Sequence, residues 1–216
     1  MSDISFLKQT KSVHVIGAGL NQEKPAHKAF IDMKGRGYRM VPVHPRDAGS
    51  TIQGVPILPH PWASNDPELF VIFLSPERTL GLLRKWLIAN RNPPFIWLQP
   101  GAESDDVLEF LSEAEIPHSH GKCWVVTCIQ NDISCEDPLP KLPWVLQTSS
   151  TDGDLCSVWR YFPPGTDLEL DEPLEWVGDL MDLRSSDERI PRYVRSLCQD
   201  DESLAETAQR LAIPPN

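Results

Sequence analysis

Short runs of consecutive apolar residues alternate, through the first half of the chain, with segments whose apolar residues recur every three or four positions. Val13, Val15 and Ile16 make the first run. Tyr38 to Val43 make the second, and Leu69 to Leu74 an unbroken third. Phe95 to Leu98 make the fourth, and Ile116 to His120 a shorter, more polar fifth. Runs this short and this apolar suit strands buried on both faces. Between them, Ala26, Ala29, Phe30 and Met33 share one helical face, as do Leu80, Leu83, Trp86 and Leu87, and then Val107, Leu108 and Leu111. Pro25 and Pro76 suit first helical turns, Ser75 stands at an N-cap position, and Gly35 and Gly37 supply a stop. The alternation predicts an α/β fold: a doubly wound parallel sheet of about five strands with helices on both faces.

The pattern changes in two places. Gly49 to Asp66 is rich in proline and glycine and reads as loop with short turns. Glu136 to Pro143 contains three prolines and reads as a linker. Beyond it, Trp144 to Thr148 and Leu155 to Phe162 read as two strands of a hairpin turned at Asp152-Gly153. Leu174 to Leu183 reads as a helix with Leu174, Val177 and Met181 on one side. Ser203 to Ala212 reads as another, opened by a Ser203/Glu206 capping box. An isolated hairpin is marginally stable in water, so its apolar face needs a platform. The preceding domain is the nearest one, and a second subunit is the alternative. Trp144, Trp159, Tyr161 and Phe162 then serve as core residues or as interface anchors.

Charge sharpens this division. Of the net −11 carried by 216 residues, the segment up to Cys135 holds 14 acidic and 13 basic residues. The segment from Glu136 onward holds 17 acidic and 7 basic. The expected organisation is a domain over residues 1–135 and an acidic hairpin-and-helix extension over 136–216. An acidic surface disfavours nucleic acid as a partner and favours a basic protein. No run approaches the ~20 apolar residues of a membrane span, and Met1 to Thr10 lacks the apolar core of a signal peptide. The five cysteines include no C-x-x-C pair. They read as reduced thiols of a cytoplasmic protein without zinc. His118 and His120 lack a third ligand, so no metal site is expected. The six histidines show no base–nucleophile spacing, so no catalytic residue is assigned.

The candidate chemistry lies at the carboxyl ends of the strands, where open α/β sheets bind ligands. Gly17-Ala18-Gly19 ends the first strand just ahead of a helix, an arrangement that lets backbone approach a diphosphate. The second strand ends in Val43-His44-Pro45-Arg46, with no Asp or Glu for a ribose hydroxyl. Arg46 instead suits a ribose phosphate, which NADP and coenzyme A both carry.

Five motifs in order carry a resemblance: Val15-Ile16-Gly17-Ala18; Lys24-Pro25-Ala26-His27; Gly37 through Pro45; Gly54-Val55-Pro56; and Trp97-Leu98-Gln99-Pro100-Gly101. From about Ser12 to Cys123 the chain resembles the small CoA-binding domain family. These proteins are similar to the nucleotide-binding domain of the succinyl-CoA synthetase alpha subunit. The resemblance implies a Rossmann-like fold and a CoA or acyl-CoA site. In it, Gly17, Ala18 and Gly19 approach the diphosphate, and Lys24 and Pro25 close that loop. His44, Pro45 and Arg46 border the adenosine end. Phe73, Leu74, Ser75, Gln99 and Gly101 lie along the pantetheine. The chain departs from the family pattern at Gly19, where Ser or Thr is usual, at His44 for Asn, and at Leu74 for Arg. Gly121-Lys122 replaces Asp-Arg before Cys123. The resemblance implies a non-catalytic CoA-binding module with a regulatory or sensing role. Two alternatives stand beside it: a protein-interaction or assembly factor that kept the fold and lost the ligand, and an NADP-linked oxidoreductase.

Overall fold

The computed structural model describes residues 3–63, 67–89, 91–149, 156–168 and 174–212. The chain divides into two compact units. One comprises Met1–His44 and Asp66–Leu139, the other Pro45–Asn65 and Pro140–Asn216.

The first unit is built on β1 (Ser12–Ile16), β2 (Arg39–Val43), β5 (Leu69–Ile72), β6 (Phe95–Leu98) and β7 (His118–Ser119). The numbering leaves β3 (Thr51–Ile52) and β4 (Val55–Pro56) to the second unit. The five strands form one parallel sheet in the order β2-β1-β5-β6-β7. Every residue of β1 and β5 is buried, as their apolar runs require of central parallel strands. Val13 sits between Met40 and Leu69, and Ile16 between Val43 and Ile72, so the carboxyl ends of β1, β2 and β5 finish level.

Five helices flank this sheet: α1 (Asp3–Gln9), α2 (Pro25–Met33), α3 (Pro76–Ile88), α4 (Asp105–Glu113) and α5 (Trp124–Gln130). Strand order reverses direction at β1, so right-handed crossovers put α2 on one face and α3 and α4 on the other. Accordingly α2 packs with α5, and α3 with α4. The fully buried Phe30, Phe70, Trp97 and Trp124 anchor these layers. Each such side chain contributes about 1.5–3 kcal/mol on burial. Phe70 meets Trp86 of α3 edge-on at 4.9 Å, and Tyr38 lies 5.9 Å from the Trp124 ring.

Two local expectations change. Ser75 occupies the N-cap of α3, but its side chain makes no capping bond. Pro76 pre-sets the first turn there instead. The capping hydroxyl belongs to Ser104, whose Oγ accepts from the Val107 N–H at 3.3 Å, with Asp105 and Asp106 complementing the α4 dipole. The helices α1 and α5 are short, at seven residues each, and escape a periodicity reading. In α5, Trp124, Val125 and Cys128 are buried while Val126 and Ile129 are exposed, so apolar residues occur on both sides and blur the stripe.

The second unit holds a three-stranded antiparallel sheet in the order β10-β8-β9. Its strands are β8 (Trp144–Ser149), β9 (Ser157–Phe162) and β10 (Leu174–Asp179). The expected turn at Asp152-Gly153 lies outside the described residues. The helical reading of Leu174 to Leu183 is corrected: its first six residues are a strand, and α6 (Leu180–Ser185) begins only after it. β8 is fully paired on one side by β9, and β10 satisfies the backbone groups of its other side. The switch to helix is written in Asp179, whose side chain accepts from the N–H groups of Met181 and Asp182 while Asp182 returns a bond to the Asp179 N–H.

After α6 come α7 (Arg189–Ser196) and α8 (Leu204–Leu211). The predicted capping box of α8 is present in full: Ser203 Oγ accepts from Glu206 N–H, and Glu206 accepts from Ser203 N–H. Val145, Trp159 and Trp176 of the sheet pack with Leu183, Val194 and Ala208 of the three helices. Trp159 also donates its indole N–H to Ala208 O at 2.9 Å. The hairpin thus finds a platform in helices of its own unit. The β3–β4 hairpin belongs here too: the Leu168 N–H donates to Gly54 O at 3.2 Å, and a Cβ on Gly54 would lie 2.5 Å from Asp167 Cα. Only glycine fits there.

Candidate functional site

The reversal of strand order lies between β1 and β5, and the crevice outside their carboxyl ends is where such sheets take ligands. Gly17 leaves β1 at φ +101°, a backbone setting that favours glycine. Its N–H donates to Val43 O at 2.8 Å, which ties the turn to the end of β2 beside His44. A Cβ on Gly17 would stand 3.5 Å from Phe73 Cβ and 3.6 Å from Leu74 Cδ2. Phe73 N–H donates to Ile16 O, and Gln99 N–H donates to Ile72 O, at 3.0 and 3.1 Å. Gly17, Phe73, Leu74 and Gln99 therefore stand in one row across the ends of β1, β5 and β6.

The loop after Gly17 is organised from within. The Ala18 N–H turns back to Val15 O. Ala18 and Gly19 are buried, and Gly19 O lies 2.7 Å from His27 Nδ1. A carbonyl can only accept, so Nδ1 of this buried histidine carries the hydrogen. The Lys24 N–H donates to Asn21 O at 3.1 Å and closes the turn. Pro25 opens α2, and both Lys24 and Pro25 are exposed. No side chain caps the start of α2, and its first turn has no acidic residue. Such a helix N-terminus favours an anion.

Gln99 is the most informative residue of the row. It is 3% exposed, yet its Nε2 has no hydrogen-bond partner among the described residues. Leaving a buried donor unmade costs about 1–3 kcal/mol. Gly101, at φ +94°, is exposed with open space around it, and its N–H donates to Glu103 at 2.8 Å. Ser75 is exposed, and Phe73, Leu74 and His44 are half-buried. Pro45 and Arg46 are exposed and open the second unit. Cys123 precedes α5, and its carbonyl accepts from the N–H and Oγ1 of Thr127. Burial pushes the Cys128 thiol up to about 11, against an opposing bond to Tyr38, and it holds Tyr38 well above the usual phenol range. Among the described residues, no three His, Cys, Asp or Glu side chains group to hold a metal ion. Among the described residues no helix is long and apolar enough to cross a membrane.

Residues 11–128 match the family described as CoA binding domain. The chain belongs to that family. The CoA binding domain thus spans the whole parallel sheet and all five strand ends. A Thermus thermophilus protein labelled cell-free ID.343 is similar in structure at 27% identity, with a TM-score of 0.53, over 58% of this chain and 93% of that one. A hypothetical protein from Pyrococcus horikoshii OT3 shares the fold at 19% identity and a TM-score of 0.52, over 59% of this chain and 89% of its own. No curated protein matches the chain.

Two features of the site were not visible in the sequence. His27 lies within the Lys24-Pro25-Ala26-His27 motif, but its role as the anchor of Gly19 emerges only from the fold. The signal available was its position on the buried face of α2, one residue after Ala26. The unpaired state of Gln99 has no sequence signature.

Proposed function

We propose that the CoA binding domain is a non-catalytic module for CoA or acyl-CoA with a regulatory or sensing role. The observation that carries this reading is the buried, unpartnered Gln99 Nε2 at the end of β6. A donor kept dry and unused suits a carbonyl that arrives with a ligand, and pantetheine carries two amide carbonyls. The uncapped start of α2 beside exposed Lys24 suits the diphosphate, and the half-buried Phe73 and Leu74 suit an apolar arm. Family membership supports the ligand class.

One observation favours a second reading, an interaction or assembly factor that kept the fold without the ligand. The N–H groups of Gly17 and Ala18 are already engaged by Val43 O and Val15 O, which leaves less of the turn to hold a diphosphate. For the acidic extension we infer a basic protein partner.

Calorimetry of the full chain with CoA, acetyl-CoA, NADP and NAD tests both readings. CoA and acetyl-CoA bind on the first reading, and Gly17→Val abolishes that binding. Absence of binding by either CoA species favours the second reading, and selective binding of NADP points to the oxidoreductase alternative.

A further inference from the structure

The second unit contains a groove of about 1150 Å³ that belongs to no site described above. Its floor is the sheet face opposite α7. Cross-strand pairing puts Gln147 opposite Trp159 and Ser149 opposite Ser157, so all four share that face. A register shift between Leu174 and Trp176 turns Glu175 onto it as well. The Glu175 carboxylate accepts from Gln147 Nε2 at 2.6 Å, Ser149 Oγ at 2.6 Å and Ser157 Oγ at 2.8 Å. The stacked rings of Trp159 and Trp176, 6.0 Å apart, lie next to it, and Ile190, Tyr193 and Leu197 form the opposite wall.

Three neutral donors fix this carboxylate in place without neutralising it. They also favour its ionised form and lower its pKa. Among the described residues no cation pairs with Glu175, and Arg189 acts on it only at longer range. Glu188, Arg189 and Arg192 at the rim carry a net charge of +1 between them, and with Glu175 the charged residues lining the groove balance. A positioned anion beside aromatic rings is the recognition chemistry of a cationic side chain, through ion pairing and cation–π attraction. The surrounding extension, with its excess of acidic residues, attracts such a ligand from a distance.

We propose that this groove is a docking site for a segment of a basic protein, with a lysine or arginine side chain seated on Glu175. The proposal rests on the reading of the extension as the partner-binding part of the chain, and it deepens that reading by naming the site.

The test uses the full chain and two fluorescein-labelled octapeptides, one alternating lysine with leucine and one alternating glutamate with leucine, followed by anisotropy at low and physiological salt. The lysine peptide binds the wild type and the glutamate peptide does not. Glu175→Gln lowers affinity at least tenfold, Tyr193→Ala about threefold, and Arg189→Ala raises it. Glu109→Gln on α4, which removes the same charge elsewhere, changes nothing. Tyr193 is 63% exposed, so its variant keeps the test open if Glu175→Gln misfolds. Binding lost equally in Glu175→Gln and Glu109→Gln, or untouched by Glu175→Gln and Tyr193→Ala, overturns the groove while leaving a basic partner in place. Failure of the lysine peptide to bind, or preference for the glutamate peptide, overturns both.

Discussion

The imidazole of His27, on the buried face of α2, donates from Nδ1 to the carbonyl of Gly19 at 2.7 Å. One helix side chain thereby holds the turn that follows β1, with the loop's own backbone bonds supplying the rest. His27→Phe keeps the volume and removes the donor. The variant loses about 1–2 kcal/mol of stability and leaves Gly19 O unpaired. Its CoA affinity drops about tenfold because the turn is no longer fixed. Urea denaturation and calorimetry read the two effects, and unchanged affinity argues against the turn as the ligand's seat.

Gly17 tests the same turn through its backbone. Its φ of +101° is strained for any L-residue, although an added methyl would find ordinary contacts at 3.5–3.6 Å. Gly17→Ala costs about 1–3 kcal/mol from conformation alone, with no steric collision. A melting temperature equal to that of the wild type contradicts the conformational account.

At Gln99, stability and binding should separate. Gln99→Leu removes the buried, unpaired Nε2, so the ligand-free protein gains about 1 kcal/mol. CoA binding weakens in the same variant. Thermal shifts with and without CoA report both signs at once, and a loss of ligand-free stability shows that Gln99 is satisfied in solution.

His14 sits in the middle of β1, fully buried, with neither ring nitrogen bonded among the described residues. Burial, aided by the charge of Arg39, holds its pKa well below the usual histidine value. The unfolded chain therefore takes up a proton near pH 6.5 that the folded chain refuses. By linkage, this residue's contribution leaves stability level above about pH 7 and lowers it as pH falls through 6.5, by up to about 1.4 kcal/mol per unit. Denaturation midpoints at pH 5, 6, 7 and 8 show the slope. His14→Leu flattens it, and an equal slope in the variant assigns the effect to other groups.

The parallel sheet was legible because each central strand is buried on both faces, and Leu69-Phe70-Val71-Ile72 allows little else. The Ser203/Glu206 box was legible because its bonds are local. β10 was misread since Leu174, Val177 and Met181 happen to fall at helical spacing, while its real partner, β8, is some thirty residues away in sequence. Non-local pairing decides that segment. At the site, glycine turns and the Gln99-Pro100-Gly101 corner mark strand ends in any such sheet. Which N–H groups are consumed and which donor is left over depend on contacts between strands that a linear reading does not contain.

The second unit is assembled from two separate stretches, Pro45–Asn65 and Pro140–Asn216, so the polypeptide passes between the units three times. Such a unit is not self-contained. The chain beyond Leu139 supplies most of it, but the Gly54 carbonyl that receives Leu168 lies within residues 11–128, the CoA binding domain itself. The stretch Pro45–Asn65 belongs to the family domain by sequence and to the second unit by packing. A cut after Leu139 therefore takes a partner from that stretch and leaves the extension without one of its own pieces.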